Sequence, residues 1–219
     1  MKNNSISLET LVSGIKGSEL IVIGSKPAQG KTFLALTMAK QMVCLNKTPI
    51  AFFSLEVSED VLLSGVSKIS GLSTEDIQSL PFYILDNPNM TISELEQHIR
   101  DLHREKRIAA VFIDYLGLLQ CGKTVPARKE EQAVMFIKLK DIAKELNISI
   151  VVTLQIPRDN KEPTPQTIQT LISSEEAFQC IDRLILIQKA DTQKSLLTVY
   201  KRSQHNEWAS EEIPWTVTT

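Results

Sequence analysis

The stretch that decides the fold is Leu20 to Ala39, which reads LIVIGSKPAQGKTFLALTMA. Its first part, Leu20 to Gly24, is an apolar run typical of a buried strand, and Lys31 to Leu45 has the apolar spacing of a helix. The polar segment Ser25 to Thr32 lies between them. A strand, a turn ending in Gly-Lys-Thr and a helix, in this order, predict a phosphate-binding loop.

Three residues of this loop match the chemistry that a triphosphate requires. Gly30 lets backbone N–H groups approach the phosphates, Lys31 would reach the β- and γ-phosphate oxygens, and the Thr32 hydroxyl would bind Mg²⁺. We therefore predict binding of ATP with Mg²⁺. The strict pattern has glycine where this chain has Ser25, and a chance Gly-Lys-Thr in an ordinary turn is the alternative. The residues predicted to surround the nucleotide are consecutive: Ser25, Lys26, Pro27, Ala28, Gln29, Gly30, Lys31, Thr32 and Phe33.

Two carboxylates follow apolar runs elsewhere in the chain. The run Val111 to Ile113 ends in Asp114, and a carboxylate fixed at a strand end is suited to holding Mg²⁺. The run Phe53 to Leu55 ends in Glu56, which would activate the attacking water. The alternative for Glu56 is an ordinary acidic residue at the start of the next helix.

Apolar runs alternate with amphipathic stretches along the rest of the chain. A capping box at Thr91 to Glu94 opens one predicted helix, and another spans roughly Arg128 to Leu146. Strands this apolar must be covered on both faces, so the predicted fold class is α/β, with a central, mostly parallel sheet flanked by helices. The short gap between the last two strands predicts an antiparallel hairpin at the C-terminal edge. The further predicted strands are Ile50 to Leu55, Ala109 to Asp114, Ile148 to Leu154, Arg183 to Ile187 and Leu196 to Tyr200.

Composition limits the class of protein. The 219 residues are 42% hydrophobic and 23% charged, which predicts one globular domain over residues 1–219. The net charge of −2 excludes nucleic-acid binding through bulk positive charge, although a local basic strip is allowed. The sequence has no secretory signal, and its apolar runs fall far short of the ~20 residues that cross a bilayer. With three scattered cysteines, we expect a cytoplasmic protein without disulfides or membrane contact.

Two polar segments interrupt the pattern, each just past the end of a predicted strand. Cys121 to Lys129 reads CGKTVPARK, and Ile156 to Thr167 reads IPRDNKEPTPQT. Ligands bind at the carboxyl edge of an open parallel sheet. Both segments are therefore candidate binding loops.

Several blocks of the sequence resemble the C-terminal ATPase domain of the DnaB-type replicative DNA helicases, a ring-forming family with a RecA-like P-loop NTPase fold. Lys26-Pro27 stands where that family has a basic residue before proline, which accounts for the missing first glycine. The blocks follow the family order and span nearly the whole chain: Leu20 to Ala39, Ala51 to Val57, Val111 to Leu119, Leu139 to Leu146 and Val151 to Gln155.

The resemblance implies a role for each matching residue. Lys31 would hold the γ-phosphate, Thr32 would ligate Mg²⁺, and Asp114 would be the acid of the metal site. Glu56 would be the base for the attacking water. Gln155, at the end of its strand, would sense the γ-phosphate and pass its state to the adjoining loop.

The resemblance also implies that residues 121–129 and 156–172 are DNA-binding loops facing the channel of a ring. Five basic residues there would contact the phosphates of a single strand: Lys123, Arg128, Lys129, Arg158 and Lys161. The alternative is that they are solvated surface charges, since acidic residues such as Glu130 and Asp159 lie beside them.

Two departures from the family pattern bear on function. Residues 1–18 lead directly into the first strand, so we expect a stand-alone ATPase domain without the family's N-terminal domain. Near the C-terminus the family has a Lys-x-Arg pair that reaches the neighbouring subunit's ATP, with the arginine acting as a finger. Here the residues are Lys201, Arg202 and Ser203, and a shift of one residue turns Arg202 to the other face of a strand.

These observations support two hypotheses of different classes. The first is an ATP-hydrolysing helicase-type enzyme of DNA replication that acts on single-stranded DNA as a ring, expected to be a hexamer, together with other replication proteins. The second is a non-motor ATP-binding accessory protein that binds a helicase or DNA without unwinding it. A RecA-like recombination or signalling ATPase explains the phosphate loop equally well and the other blocks less well.

Overall fold

The computed structural model describes residues 7–44, 46–122, 128–159, 162–172, 174–189, 194–203 and 207–216. For Arg128, Lys129, Lys194 and Thr216 it describes the backbone alone. Lys123 and Lys161, two of the predicted DNA contacts, lie outside the described residues, as do the side chains of Arg128 and Lys129.

The described strands form one eight-stranded sheet in the order β3-β2-β4-β5-β1-β6-β7-β8. The strands are β1 (Leu20–Ser25), β2 (Ile50–Ser54), β3 (Phe82–Asp86), β4 (Ala110–Asp114), β5 (Ser149–Gln155), β6 (Arg183–Lys189), β7 (Lys194–Arg202) and β8 (Trp208–Thr216). Strands β1 to β6 are parallel, whereas β7 pairs antiparallel with both β6 and β8. The predicted mostly parallel sheet with an antiparallel C-terminal edge is thus confirmed.

Helices cover both faces of the sheet. The capping box at Thr91 is present, because its side chain accepts from the Glu94 N–H and the Glu94 carboxylate accepts from the Thr91 N–H. Within the predicted lead-in segment, a helix of six residues packs against the helix after β1. The helices are α1 (Leu8–Ser13), α2 (Lys31–Cys44), α3 (Glu59–Ser70), α4 (Thr74–Gln78), α5 (Ile92–Lys106), α6 (Arg128–Leu146), α7 (Pro165–Ile172) and α8 (Glu175–Gln179). None of the described helices is long and apolar enough to cross a membrane.

Alternate residues of the central strands enter two separate cores. In β1, Leu20 and Val22 pack with residues of α5 and α6 on one face, whereas Ile21 and Ile23 pack with α2 and α3 on the other. All four side chains are fully buried, which explains why these strands are apolar without alternation.

The parallel strands bring distant loops to one edge of the sheet. Strands β1 and β2 follow each other in sequence, but β4 and β5 lie between them. Such a switch in strand order leaves a crevice beyond the carboxyl ends of the strands. The register places Ser54 beside Asp114 and Ser25 beside Gln155, so four strand ends meet at this crevice.

Candidate functional site

The phosphate loop has the backbone that an anion site needs. It runs from the end of β1 to the start of α2, with positive φ at Ala28 (59°) and Gly30 (89°). A left-handed residue is uncommon for alanine but easy for glycine. The side chain of Gln29 accepts from the Lys26 N–H at 3.2 Å, and Ser25 Oγ donates to the Lys26 carbonyl at 2.9 Å. The loop is thereby held at the N-terminus of a 14-residue helix, whose first amides lack helical partners.

Lys31 occupies the first turn of α2 and is only 7% exposed. Burial lowers the pKa of Lys31, and the carboxylates of Asp114 and Glu56 raise it in part. A buried ammonium group that faces two carboxylates is suited to a polyanionic ligand, because the ligand replaces the water that burial has removed.

The hydroxyl of Thr32 reaches the central sheet. Thr32 Oγ1 donates to Asp114 Oδ2 at 2.7 Å, and Thr153 Oγ1 donates to Asp114 Oδ1 at 2.5 Å. Asp114 is 1% exposed, so these two bonds satisfy a carboxylate that water does not reach. Sequence reasoning missed Thr153. The one available signal was a polar residue inside the apolar run of β5.

Glu56 lies on the loop between β2 and α3. Ser54 Oγ donates to the Val57 carbonyl at 2.5 Å and accepts from the Val57 N–H at 3.3 Å, so it clamps the loop that carries Glu56. The Leu55 N–H donates to the Asp114 carbonyl at 2.8 Å, which ties the loop to β4. Glu56 is exposed and lines a cavity of about 170 Å³. The carboxylate therefore faces a space large enough for water beside the phosphate loop.

Gln155 is the last residue of β5 and is exposed, next to Ser25 of the phosphate loop. The Ile156 N–H donates to the Ser25 carbonyl at 2.8 Å. The structure thus brings Gln155 to the same crevice as Lys31, Thr32, Asp114 and Glu56, and the loop after β5 begins there.

The donor set fits a hard divalent cation that takes some of its ligands from phosphate. Thr32 and Asp114 supply oxygen atoms, which Mg²⁺ prefers. Among the described residues, no group of three or more His, Cys, Asp or Glu side chains is placed to hold a metal ion. Mg²⁺ commonly binds through one or two protein oxygens together with substrate phosphates and water, and the crevice suits that arrangement.

Arg202 makes its contacts within its own chain. Its guanidinium donates to the carbonyls of Ile181 and Phe178 at 3.0 and 2.9 Å and lies 4.3 and 5.2 Å from the ring centroids of Trp208 and Phe178. Lys201 lies on the opposite face of β7 and is exposed. It borders a cavity of about 270 Å³ between α1 and the last two strands. The structure does not bring either residue to the crevice of its own chain.

Of the predicted DNA-binding side chains, the structure describes that of Arg158. It is exposed in the turn that follows β5, three residues beyond Gln155. The second predicted loop continues into α7, in which Ile168 and Ile172 are buried. The exposed part of this loop therefore adjoins the crevice, and its helical part anchors it to the core.

Comparison with known proteins gives related sequences and folds. The model of the family described as "DnaB-like helicase C terminal domain" matches residues 1–72 and 62–206. The "Replicative DNA helicase DnaB" of Treponema pallidum (strain Nichols) is 36% identical over 180 residues, which cover 73% of this chain and 41% of that protein. The "Probable replicative DNA helicase" of Trieres chinensis is 32% identical over 175 residues, covering 69% of this chain and 38% of that protein.

Two solved structures have a similar fold at 18% sequence identity. One, the structure of an isolated ATPase domain, has a TM-score of 0.73 and covers 90% of this chain and 81% of that one. A structure titled "The Structure Of A DnaB-Like Replicative Helicase And Its Interactions With Primase" has a TM-score of 0.74 and covers 93% and 56%. The chain spans less than half the length of the curated relatives that it matches.

Proposed function

This chain belongs to the DnaB-like helicase C-terminal domain family, and on that basis we propose that it binds and hydrolyses ATP with Mg²⁺ at the crevice beyond β1, β2, β4 and β5. The observation that carries the proposal is the 2.7 Å bond between Thr32 and Asp114, which joins the phosphate loop to the central sheet. Family membership implies nucleotide use, and the positions of the other predicted residues around this bond support the site.

The residues of the crevice divide the work of hydrolysis. The amides of Gly30 to Thr32 and the ammonium of Lys31 hold the phosphates, and Thr32 and Asp114 would hold Mg²⁺, which supplies charge neutralisation. Glu56 accepts a proton from water as the water oxygen bonds to the γ-phosphorus. The bond to the β–γ bridging oxygen breaks, and ADP and phosphate leave. Gln155 lies where it would contact the γ-phosphate.

We further propose that single-stranded DNA is contacted by the loop after β5 and by residues 121–129. Arg158 is exposed in the first of these loops, close to Gln155, so nucleotide state and DNA contact share one segment. The net charge of −2 means that attraction to DNA must be local. A ring, which we propose to be a hexamer, would multiply these few contacts.

The contacts of Arg202 favour a second candidate function. Since its own fold holds the guanidinium, Arg202 is not placed as a cation for a neighbour's γ-phosphate, and Lys201 is the exposed member of the pair. A chain without a trans-acting arginine, which can raise hydrolysis ~10³-fold or more, would suit a non-motor ATP-binding protein that accompanies a helicase.

Mass determination separates the two candidates. We would measure the mass of the chain by sedimentation at increasing concentration, with and without Mg·ATP and an oligodeoxythymidylate, and assay ATP hydrolysis in the same mixtures. A ring enzyme assembles under these conditions and hydrolyses ATP faster with DNA. A chain that binds ATP but stays monomeric, with hydrolysis unaffected by DNA, would refute the ring enzyme and support the accessory protein.

A further inference from the structure

Both oxygens of the Asp114 carboxylate are engaged. Oδ2 accepts from Thr32, which the proposed function assigns to the metal, and Oδ1 accepts from Thr153. A carboxylate that is 1% exposed is stable only when hydrogen bonds replace its water. Hydrogen bonds to a charged acceptor are also stronger than neutral ones, so Thr153 restrains the rotation of this group.

Thr153 is placed for this contact by the sheet register. Ile113 of β4 pairs with Val152 of β5, so the next residues of the two strands, Asp114 and Thr153, lie side by side. Thr153 is itself 1% exposed, and its neighbours Val152 and Leu154 are apolar and buried. Packing alone would be served by valine, which has the same shape. The hydroxyl therefore answers to the carboxylate rather than to the core.

We propose that Thr153 is a positioning residue for the metal site: by holding Oδ1 of Asp114 it fixes Oδ2 toward Thr32. This inference rests on the proposed function, because it presumes that Thr32 and Asp114 hold Mg²⁺. With Thr153 the carboxylate presents one oxygen to the metal site in a defined orientation. Without the hydroxyl, Oδ1 is buried and unpaired, and the carboxylate turns away from Thr32 to find another donor.

The test compares metal-dependent with metal-free nucleotide binding. Binding of a fluorescent ATP analogue is measured in EDTA and then with Mg²⁺ titrated to saturation, for the wild type, Thr153→Val and Thr153→Ser. Residues that hydrogen-bond to metal ligands typically contribute about 10- to 100-fold to metal affinity. We expect Thr153→Val to raise the half-saturating Mg²⁺ concentration about 10-fold or more while binding in EDTA stays within about twofold. Thr153→Ser, which keeps the hydroxyl, should restore most of the Mg²⁺ affinity.

Two further variants guard against trivial results. Thr198→Val changes another buried threonine of the same sheet, on β7, and should leave the Mg²⁺ titration unchanged. Thr153→Cys, with a similar volume and a weaker donor, repeats the test if the valine variant does not fold.

An unchanged Mg²⁺ midpoint in a folded Thr153→Val or Thr153→Cys protein would overturn the inference and leave the proposed function standing. An equal loss of binding in EDTA and in Mg²⁺ that serine does not rescue would also overturn it, because that pattern indicates a structural role. A wild-type protein whose nucleotide binding ignores Mg²⁺ would overturn the proposed function and this inference together.

Discussion

The Thr32 hydroxyl lies 2.7 Å from Asp114 Oδ2, although 82 residues separate the two in the chain. One partner begins the helix after β1, and the other ends β4, with β5 between those strands. The contact closes the crevice at the point where strand order switches, which is where open α/β sheets bind ligands. Nucleotide that bridges these two residues would therefore join the phosphate loop to the sheet.

Removing the Thr32 hydroxyl should weaken binding of Mg·ATP. Thr32→Val keeps the shape of the side chain but loses a metal ligand and the bond to Asp114, and a hydrogen bond to a charged group contributes about 1.5–3 kcal/mol. We expect affinity for Mg·ATP to fall roughly 10-fold or more, measured by fluorescence titration. Thr37→Val is the matched control, because Thr37 lies in the same helix and bonds only the Phe33 carbonyl among the contacts described. Equal affinities in both variants would contradict the metal-site assignment.

Replacing Lys31 should separate binding from stability. Lys31→Met removes charge-assisted bonds to phosphate, with a predicted loss of about 1.5–3 kcal/mol of ATP binding energy. Because burial lowers the pKa of Lys31, its charge does not stabilise the empty protein, so the free energy of unfolding should stay the same or rise. Lys40→Met, on the same helix, should leave ATP affinity unchanged. Loss of stability in Lys31→Met without loss of binding would refute the assignment.

Arg202 should act on stability. Arg202→Met removes two hydrogen bonds to carbonyls and contacts with two aromatic rings, so we expect the free energy of unfolding to drop by about 2–4 kcal/mol in urea titrations. Lys201→Met, at an exposed position, should change it by less than about 0.5 kcal/mol. If Arg202→Met were as stable as the wild type and had lost only hydrolysis, the arginine would be a trans-acting group after all.

The pH dependence of stability should depend on Glu96. Its carboxylate lies 2.6 Å from Lys138 Nζ and 2.9 Å from Arg100 Nη2, and the hydrogen bond from Lys138, followed by that from Arg100, lowers the pKa of Glu96. A lowered pKa stabilises the fold above the unfolded value of about 4.5, and this stabilisation is lost as the pH falls through the folded value.

Glu96→Gln should therefore be about 0.5–1 kcal/mol less stable than the wild type at pH 7. The difference should shrink as the pH drops from about 5 to below the lowered pKa of Glu96. Urea titrations across this range measure it, with Glu105→Gln as the control on the same helix, where the only ion pair described is a 3.7 Å contact with Arg104. A difference that persists at acid pH would show that Glu96 acts through packing.

Local patterns predicted the parts of the fold that depend on neighbouring residues. The helix over Arg128 to Leu146 has the predicted bounds, and the capping box at Thr91 forms as expected. Strand β3 was missed because Phe82 to Leu85 lie at a sheet edge and are only half-buried. Strand β8 was not delimited, since its exposed glutamates and Pro214 resemble a loop. An edge strand tolerates proline there.

Contacts between distant strands were beyond sequence reasoning. The bond from Thr153 to Asp114 depends on the register of β5 against β4, which no local pattern reports. The site of Arg202 depends on Phe178 and Trp208, which come from a helix and a strand on either side of it in sequence. The phosphate loop was predictable because its residues are consecutive.

The measurement that tests the central claim most directly is the rate of ATP hydrolysis by Glu56→Gln with Mg²⁺ and single-stranded DNA, alongside Mg·ATP affinity. Glu59→Gln, an exposed acid at the start of α3, is the control. A general base contributes about 10²- to 10⁴-fold, so we predict a loss of at least about 100-fold in turnover for Glu56→Gln, with affinity for Mg·ATP retained and Glu59→Gln unaffected. Full turnover in Glu56→Gln would contradict the account, because water activation would then lie outside this crevice.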